Sequence, residues 1–195
     1  MTRVIRVYLE VEKTWAFACA VDLPGWQRRG KGEAAALEEL ESYRGRYAES
    51  TGTAVHGELH VVGTLHGNAS TVWAPSLQGE WDDEPVSAEE IHLVQVCWDV
   101  FDRTVDAVTA ELRKGPRGGG RDRDEIVDHV REAERSYGRK VGARVPPRTP
   151  WEEQRTAILE RLADPSHDAW SPKYAARRIA WHMLDHAWEM QDKTL

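Results

Sequence analysis

Hydrophobic and polar residues alternate along the first part of the chain, as they do in strands that bury one face. The alternation over residues 3–26, interrupted by the turn Glu12-Lys13-Thr14, predicts a β-hairpin. Residues 33–49 are rich in Ala, Leu and Glu and predict a helix, and residues 54–65 predict a further strand or hairpin. We therefore expect a small ββ(β)αβ domain over residues 1–66.

From Ser87 onward, hydrophobic residues recur every three or four positions, which is the period of an amphipathic helix. Ser87 and Glu90 form a capping-box pattern, and the apolar residues after them predict a helix that continues to about Lys114. Three further helices are predicted, from Asp122 or Asp124 to about Gly142, from Thr149-Pro150, and from Ser171-Pro172. The four helices predict an antiparallel four-helix bundle over residues 87–195, linked to the first domain by the turn-rich residues 67–86. The predicted fold class is α+β.

Composition and charge narrow the functional classes. The chain of 195 residues is 41% hydrophobic, enough for packed cores, and its net charge of −7 disfavours general binding to nucleic acid or anionic membranes. It has no apolar run of membrane-spanning length and no signal-peptide core, so we expect a cytoplasmic protein. Cys19 and Cys97 lack a Cys-x-x-Cys spacing, which disfavours a disulfide framework or a thiolate metal site.

Two histidines four residues apart, His182 and His186, lie in the apolar stripe of the fourth bundle helix. Residues at this spacing share one helix face, so both imidazoles can reach one metal ion. His129 lies on the inward stripe of the second bundle helix and is the candidate third ligand. Burying three imidazoles without partners costs about 1–3 kcal/mol each, whereas one divalent ion satisfies a nitrogen of all three. The pattern therefore predicts a three-histidine metal site, with hydrogen-bonded core histidines as the alternative.

The predicted site has the character of a catalytic centre but not of a zincin. A zincin has glutamate after the first histidine as its general base, and this chain has Met183 there. Three protein ligands leave at least one coordination position open, as in catalytic sites that activate water or bind a thiolate.

Two carboxylates flank the histidine pair. Glu189 stands one turn beyond His186 and is a candidate catalytic residue that orders a water or accepts a proton, or else an ordinary carboxylate near a helix end. Asp185 is a candidate to hold an imidazole tautomer, and a surface ion pair with Arg177 or Arg178 is its alternative.

A weaker histidine pattern occurs in the first domain. His56, Glu58 and His60 alternate and therefore share one face of the predicted strand. This face is either a second metal-chelating site or, as in most strands, a solvated polar face.

The first domain resembles the HicB-like family. The resemblance rests on the opening hairpin, the turn Val21-Asp22-Leu23-Pro24-Gly25-Trp26, Gly30, and the Ala-rich helix from Glu33 to Leu40. The resemblance implies a partial ribonuclease-H-like fold and a module that neutralises a toxin or binds a partner. The turn has Trp26 where that family commonly has cysteine.

Residues 87–195 are similar to the DinB/YfiT-like family, whose four-helix bundles bind a metal through three histidines. Residues 124–134, around the second-helix histidine, and residues 175–189, around the fourth-helix pair, carry the likeness. The resemblance implies a nickel or zinc ion bound by the three histidines named above. It also implies a hydrolase or a thiol-dependent transferase, with a small-molecule substrate, a low-molecular-weight thiol such as bacillithiol or mycothiol, and a homodimer.

Two functions remain open from the sequence. The first is a divalent-metal-dependent enzyme of the DinB-like kind. The second is a non-catalytic metal-containing protein whose HicB-like half recognises a protein or RNA partner.

Overall fold

The computed structural model describes residues 4–116, 118–164, 166 and 168–195 and has the mixed α+β fold expected from the sequence. Within these ranges the elements are β1 (Val4–Val11), β2 (Ala16–Ala20), β3 (Gln27–Gly30), α1 (Glu33–Ser42), α2 (Arg44–Thr51), β4 (Glu58–His66), α3 (Ala88–Ala107), α4 (Arg123–Lys140), α5 (Trp151–Leu162) and α6 (Pro172–Lys193). Two short 3-10 turns, Ala69–Val72 and Glu80–Asp83, lie between β4 and α3. No described helix combines the length and the apolar character that a membrane crossing requires.

The strands form one sheet in the order β3-β2-β1-β4. The hairpin predicted from the alternation is confirmed: β1 pairs antiparallel with β2, and the Glu12 amide donates to the Trp15 carbonyl across the turn at 2.8 Å. β4 returns parallel to β1, and the register of this pair shifts between Val7 and Tyr8. The sheet therefore ends in β3 on one side and β4 on the other.

Two features of this first segment differ from the sequence expectation. β3 has the sequence Gln-Arg-Arg-Gly and lacks hydrophobic alternation, but its backbone pairs antiparallel with β2. The helix expected over residues 33–49 is interrupted at Tyr43, which caps the end of α1 and the start of α2.

The capping box predicted for α3 is present, but the helix ends at Ala107 rather than near Lys114. The Ser87 hydroxyl accepts from the Glu90 amide at 3.1 Å, and the Glu90 carboxylate accepts from the Ser87 amide at 2.9 Å. Beyond the helix the chain is irregular, and Leu112 is buried and forms an isolated β-bridge with Thr194 beyond α6. Backbone pairing with that segment replaces the last helical turns of the prediction.

α6 lies at the centre of the structure. It packs against α3, α4 and α5, and the larger of the two hydrophobic clusters among the described residues contains buried residues of both the sheet and the helices. The turn between β2 and β3 approaches α6 closely, because a Cβ on Gly25 would lie 2.7 Å from the Leu184 Cδ1 atom. The Gln27 side-chain amide also donates to the Arg177 carbonyl at 2.9 Å. The division into domains at residues 66 and 87 stays a prediction.

The turn-rich segment between β4 and α3 joins α6 to the sheet. The Trp81 ring stacks on Tyr8 with ring centroids 4.6 Å apart. Asp82 pairs with Arg177 of α6 at 2.5 Å, and both side chains are almost fully buried. A buried ion pair of this kind fixes relative position, since either partner alone would be an uncompensated buried charge.

Candidate metal centre

The three predicted histidines meet between α4 and α6. His129 lies midway along α4, and His182 and His186 lie on successive turns of α6. One ring nitrogen from each lies within 4.8 Å of the other two. The ring centroids are 5.1 Å apart for both pairs that involve His129 and 4.6 Å apart for the pair on α6. The helical period therefore placed the side chains correctly.

Three imidazole nitrogens bound tetrahedrally to one zinc ion at about 2.1 Å lie about 3.4 Å apart. The histidine nitrogens lie within 4.8 Å of one another, so the three side chains would close in by up to about 1.4 Å to share an ion. Within the part of the chain that the structure describes, this is the one group of three or more His, Cys, Asp or Glu side chains so arranged.

The surroundings of His129 and His182 lower the pKa of both imidazoles and so favour their neutral form. Burial, followed by the neighbouring His186 and Arg178, lowers the pKa of His182 well below its ordinary 6.5. Burial and then His186 lower the pKa of His129. The His182 side chain is 6% exposed, and its Nδ1 atom is buried with no hydrogen-bond partner among the described residues. Neutral imidazoles with an unsatisfied buried nitrogen are a donor set that fits a zinc- or nickel-type ion.

Glu189 lies behind His186. Its Oε2 atom is 2.8 Å from the His186 Nδ1 atom, and its Oε1 atom accepts from the Lys193 ammonium at 2.5 Å. The hydrogen bond with His186, and beyond it the one from Lys193, lowers the pKa of Glu189 to about 2, so the carboxylate is ionised. An ionised carboxylate accepts the Nδ1 proton and leaves the His186 Nε2 atom free for an ion, the usual way a metal-binding imidazole is oriented. Its expected catalytic role stays a prediction.

Asp185 points towards the sheet. Its Oδ1 atom accepts from the Arg28 guanidinium of β3 at 3.0 Å. Arg28 in turn lies over the Tyr43 ring at 3.8 Å. Among the described residues, Asp185 has no hydrogen bond to a histidine, and its ion pair is made with Arg28 rather than with either arginine of α6. Its role in holding an imidazole tautomer stays a prediction.

The sequence analysis missed an aromatic and cationic layer next to the histidines. The Arg178 guanidinium lies 4.9 Å from the Tyr137 ring centroid and 4.6 Å from that of Trp181. Both rings also neighbour His182, at 5.5 and 6.1 Å between centroids. The signal that would have found Arg178 is its position four residues before His182, which puts both on one helix face.

A cavity of about 540 Å³ lies between the sheet and α6, and its lining includes Glu189 but none of the three histidines. Arg28, Tyr43, Trp181, Asp185 and Glu189 are among the residues that line it. Its size is within the range of small-molecule sites, and Glu189 connects it to His186.

The strand histidines do not form a comparable group. Glu58 and His60 lie exposed on β4, and His56 lies exposed before that strand. They behave as a solvated strand face.

Comparison of the chain with models of protein families, with curated proteins and with solved structures gave no match.

Proposed function

We propose that this protein is a divalent-metal-dependent enzyme that acts on a small molecule, with zinc or nickel bound by His129, His182 and His186. The observation that carries the proposal is the convergence of three imidazoles at a buried His182 nitrogen that has no hydrogen-bond partner among the described residues. Leaving that nitrogen unsatisfied would cost about 1–3 kcal/mol, and a shared ion removes this cost.

The chemistry follows from the ligand set. His129, His182 and His186 would hold a divalent ion, which would supply Lewis-acid chemistry and, with three protein ligands, would leave a position for water or substrate. Glu189 holds the His186 proton at Nδ1 and so keeps the Nε2 atom available. The adjacent cavity admits a small substrate next to Glu189 and Trp181. We propose two reaction classes. One is hydrolysis, and the other is a thiol-dependent transfer with a low-molecular-weight thiol as co-substrate.

The packing of the helices supports a DinB-like arrangement for residues 87–195. α6 contacts α3, α4 and α5, and α4 contacts α5, as expected for four helices around a shared core. The sheet order β3-β2-β1-β4, with helices inserted before a parallel β4, supports a HicB-like first unit.

A non-catalytic binding role is the second candidate, and the exposed edge of the sheet favours it. β4 is an edge strand, and Val61 on it is 39% exposed. Such an edge can accept a strand from a protein partner. In this role the metal would be structural, with Glu189 as a fourth ligand.

Metal analysis of protein purified without an affinity tag tests the proposal. We expect close to one equivalent of zinc or nickel in the wild type and a large loss in His129→Ala and His182→Ala. His92→Ala, which removes an exposed histidine of α3, is the matched control and should retain the metal. Near-stoichiometric metal in both site variants would refute the three-histidine centre.

X-ray absorption spectroscopy of the metal-loaded protein separates the two candidate roles. We expect the same number of imidazole and oxygen ligands in the wild type and in Glu189→Gln, because Glu189 is expected to hold His186 and not the ion. Loss of one oxygen ligand in Glu189→Gln would identify a closed site and favour the binding role.

A further inference from the structure

We propose that the metal centre recognises an oxyanionic group of its substrate, a carboxylate or a phosphate, which Arg178 binds beside the ion. This inference rests on the proposed metal site and adds the substrate class to it.

Arg178 is placed for contact with a group at the metal centre. It precedes His182 by one helical turn, so the two side chains leave α6 on the same face. The Tyr137 and Trp181 rings neighbour both the guanidinium group and the His182 imidazole. The arginine is therefore oriented by aromatic packing and not by a carboxylate.

The guanidinium of Arg178 has unused hydrogen-bonding capacity. Its Nη1 atom is buried without a hydrogen-bond partner, and no acidic side chain of the described residues lies within 4 Å of it. A buried guanidinium donor without an acceptor is costly, and a carboxylate or phosphate is the acceptor that matches its planar geometry.

Acidic residues of α6 and of the segment before α3 have other partners. Asp185 is paired with Arg28, and Glu189 is bonded to His186 and Lys193. Asp82 is paired with Arg177. Among the described residues, no carboxylate forms an ion pair with Arg178, although acidic residues outnumber basic ones in the chain.

Titration of the cobalt(II)-loaded protein with acetate and with inorganic phosphate tests the inference. Binding of either oxyanion at the centre is followed by the visible absorption of the cobalt ion. We expect Arg178→Gln to raise the dissociation constant about tenfold or more, since a charge-assisted hydrogen bond is lost. Arg178→Lys keeps the charge but not the planar guanidinium group. Its dissociation constant should lie between those of the wild type and Arg178→Gln. Arg103→Gln removes an exposed arginine of α3 and should match the wild type.

The outcomes distinguish a failure of the proposed metal site from a failure of the proposed oxyanion site. Failure of the wild type to bind cobalt would overturn the metal site itself. Normal cobalt content with no spectral response to either anion, or with equal affinities in Arg178→Gln and Arg103→Gln, would overturn only the oxyanion site. Should Arg178→Gln lose cobalt, Arg178→Lys carries the test, with a severalfold weaker affinity than the wild type expected and an unchanged affinity contradicting the inference. If the Arg178 substitution weakens the affinity for phosphate more than the affinity for acetate, the substrate group is a phosphate. If it weakens the affinity for acetate more, the substrate group is a carboxylate.

Discussion

Replacing Glu134 with glutamine should remove a pH-dependent loss of stability. Glu134 lies on α4 and is fully buried between α4 and α5. The Trp151 indole and the Gln154 amide donate to its Oε2 atom, and the Arg155 Nε atom lies 3.8 Å from the same oxygen. Its Oε1 atom has no hydrogen-bond partner among the described residues. Burial outweighs these contacts and raises the pKa of Glu134 to about 7.

The sign and size of the pH effect of Glu134 on the free energy of unfolding follow from proton linkage. The ordinary pKa of this carboxyl is 4.5, so between pH 4.5 and about 7 the folded protein binds more protons than the unfolded chain. Stability therefore falls as pH rises through this window and levels off above it. At about 1.4 kcal/mol for each pH unit, the fall amounts to roughly 3 kcal/mol. Glutamine has the same shape and keeps an oxygen that can accept from Trp151 and Gln154, but it does not titrate.

Urea unfolding at pH 5 and pH 8 measures this effect. From pH 5 to pH 8 the wild type should lose about 2–3 kcal/mol more stability than Glu134→Gln. Glu153→Gln, which changes an exposed carboxylate of α5, should follow the wild type. His129 and His182 have lowered pKa values and contribute an opposite trend, a loss of stability as pH falls below 6.5, but they do so equally in all three proteins. Parallel pH dependences for the wild type and Glu134→Gln would refute the reasoning.

Two further substitutions test how the sheet is joined to α6. Asp82→Ala leaves the buried Arg177 without a partner and should cost about 3–5 kcal/mol in urea unfolding, whereas the double variant Asp82→Leu/Arg177→Met should recover much of the loss. Equal stabilities of the single and double variants would contradict this account. Gly25→Ala should destabilise more than Gly32→Ala: both glycines have positive φ angles, 94° and 81°, but only at Gly25 would the new Cβ meet Leu184, at 2.7 Å. Equal losses in the two alanine variants would mean that backbone strain alone is responsible.

The histidine cluster was predictable because its position depends on local periodicity. His182 and His186 lie in the apolar stripe of a helix whose start is marked by Ser171 and Pro172, and the structure begins α6 there. His129 shares the apolar stripe of α4 in the same way. A helical period fixes which side chains point inward, and facing inward is sufficient to bring three histidines together across two packed helices.

Features that depend on distant partners were not predictable. β3 has no hydrophobic alternation, and it forms a strand because its backbone pairs antiparallel with that of β2. Arg28 belongs to that strand, so the ion pair that turns Asp185 away from the histidines was equally hidden. α3 stops at Ala107 because the segment after it pairs near Thr194. In each case the deciding contact lies far away along the chain, where single-sequence patterns carry no information.

The hydrogen bond between Gln27 and Arg177 joins residues 150 positions apart. Contacts of such separation require closure of very long loops before they stabilise the chain, which slows folding relative to a helical bundle of local contacts. α4, α5 and α6 can associate early, but the face of α6 that bears Leu184 stays uncovered until the turn at Gly25 docks on it. We therefore expect refolding in two kinetic stages, with an early species that has paired helices and an exposed apolar surface that promotes aggregation at high protein concentration.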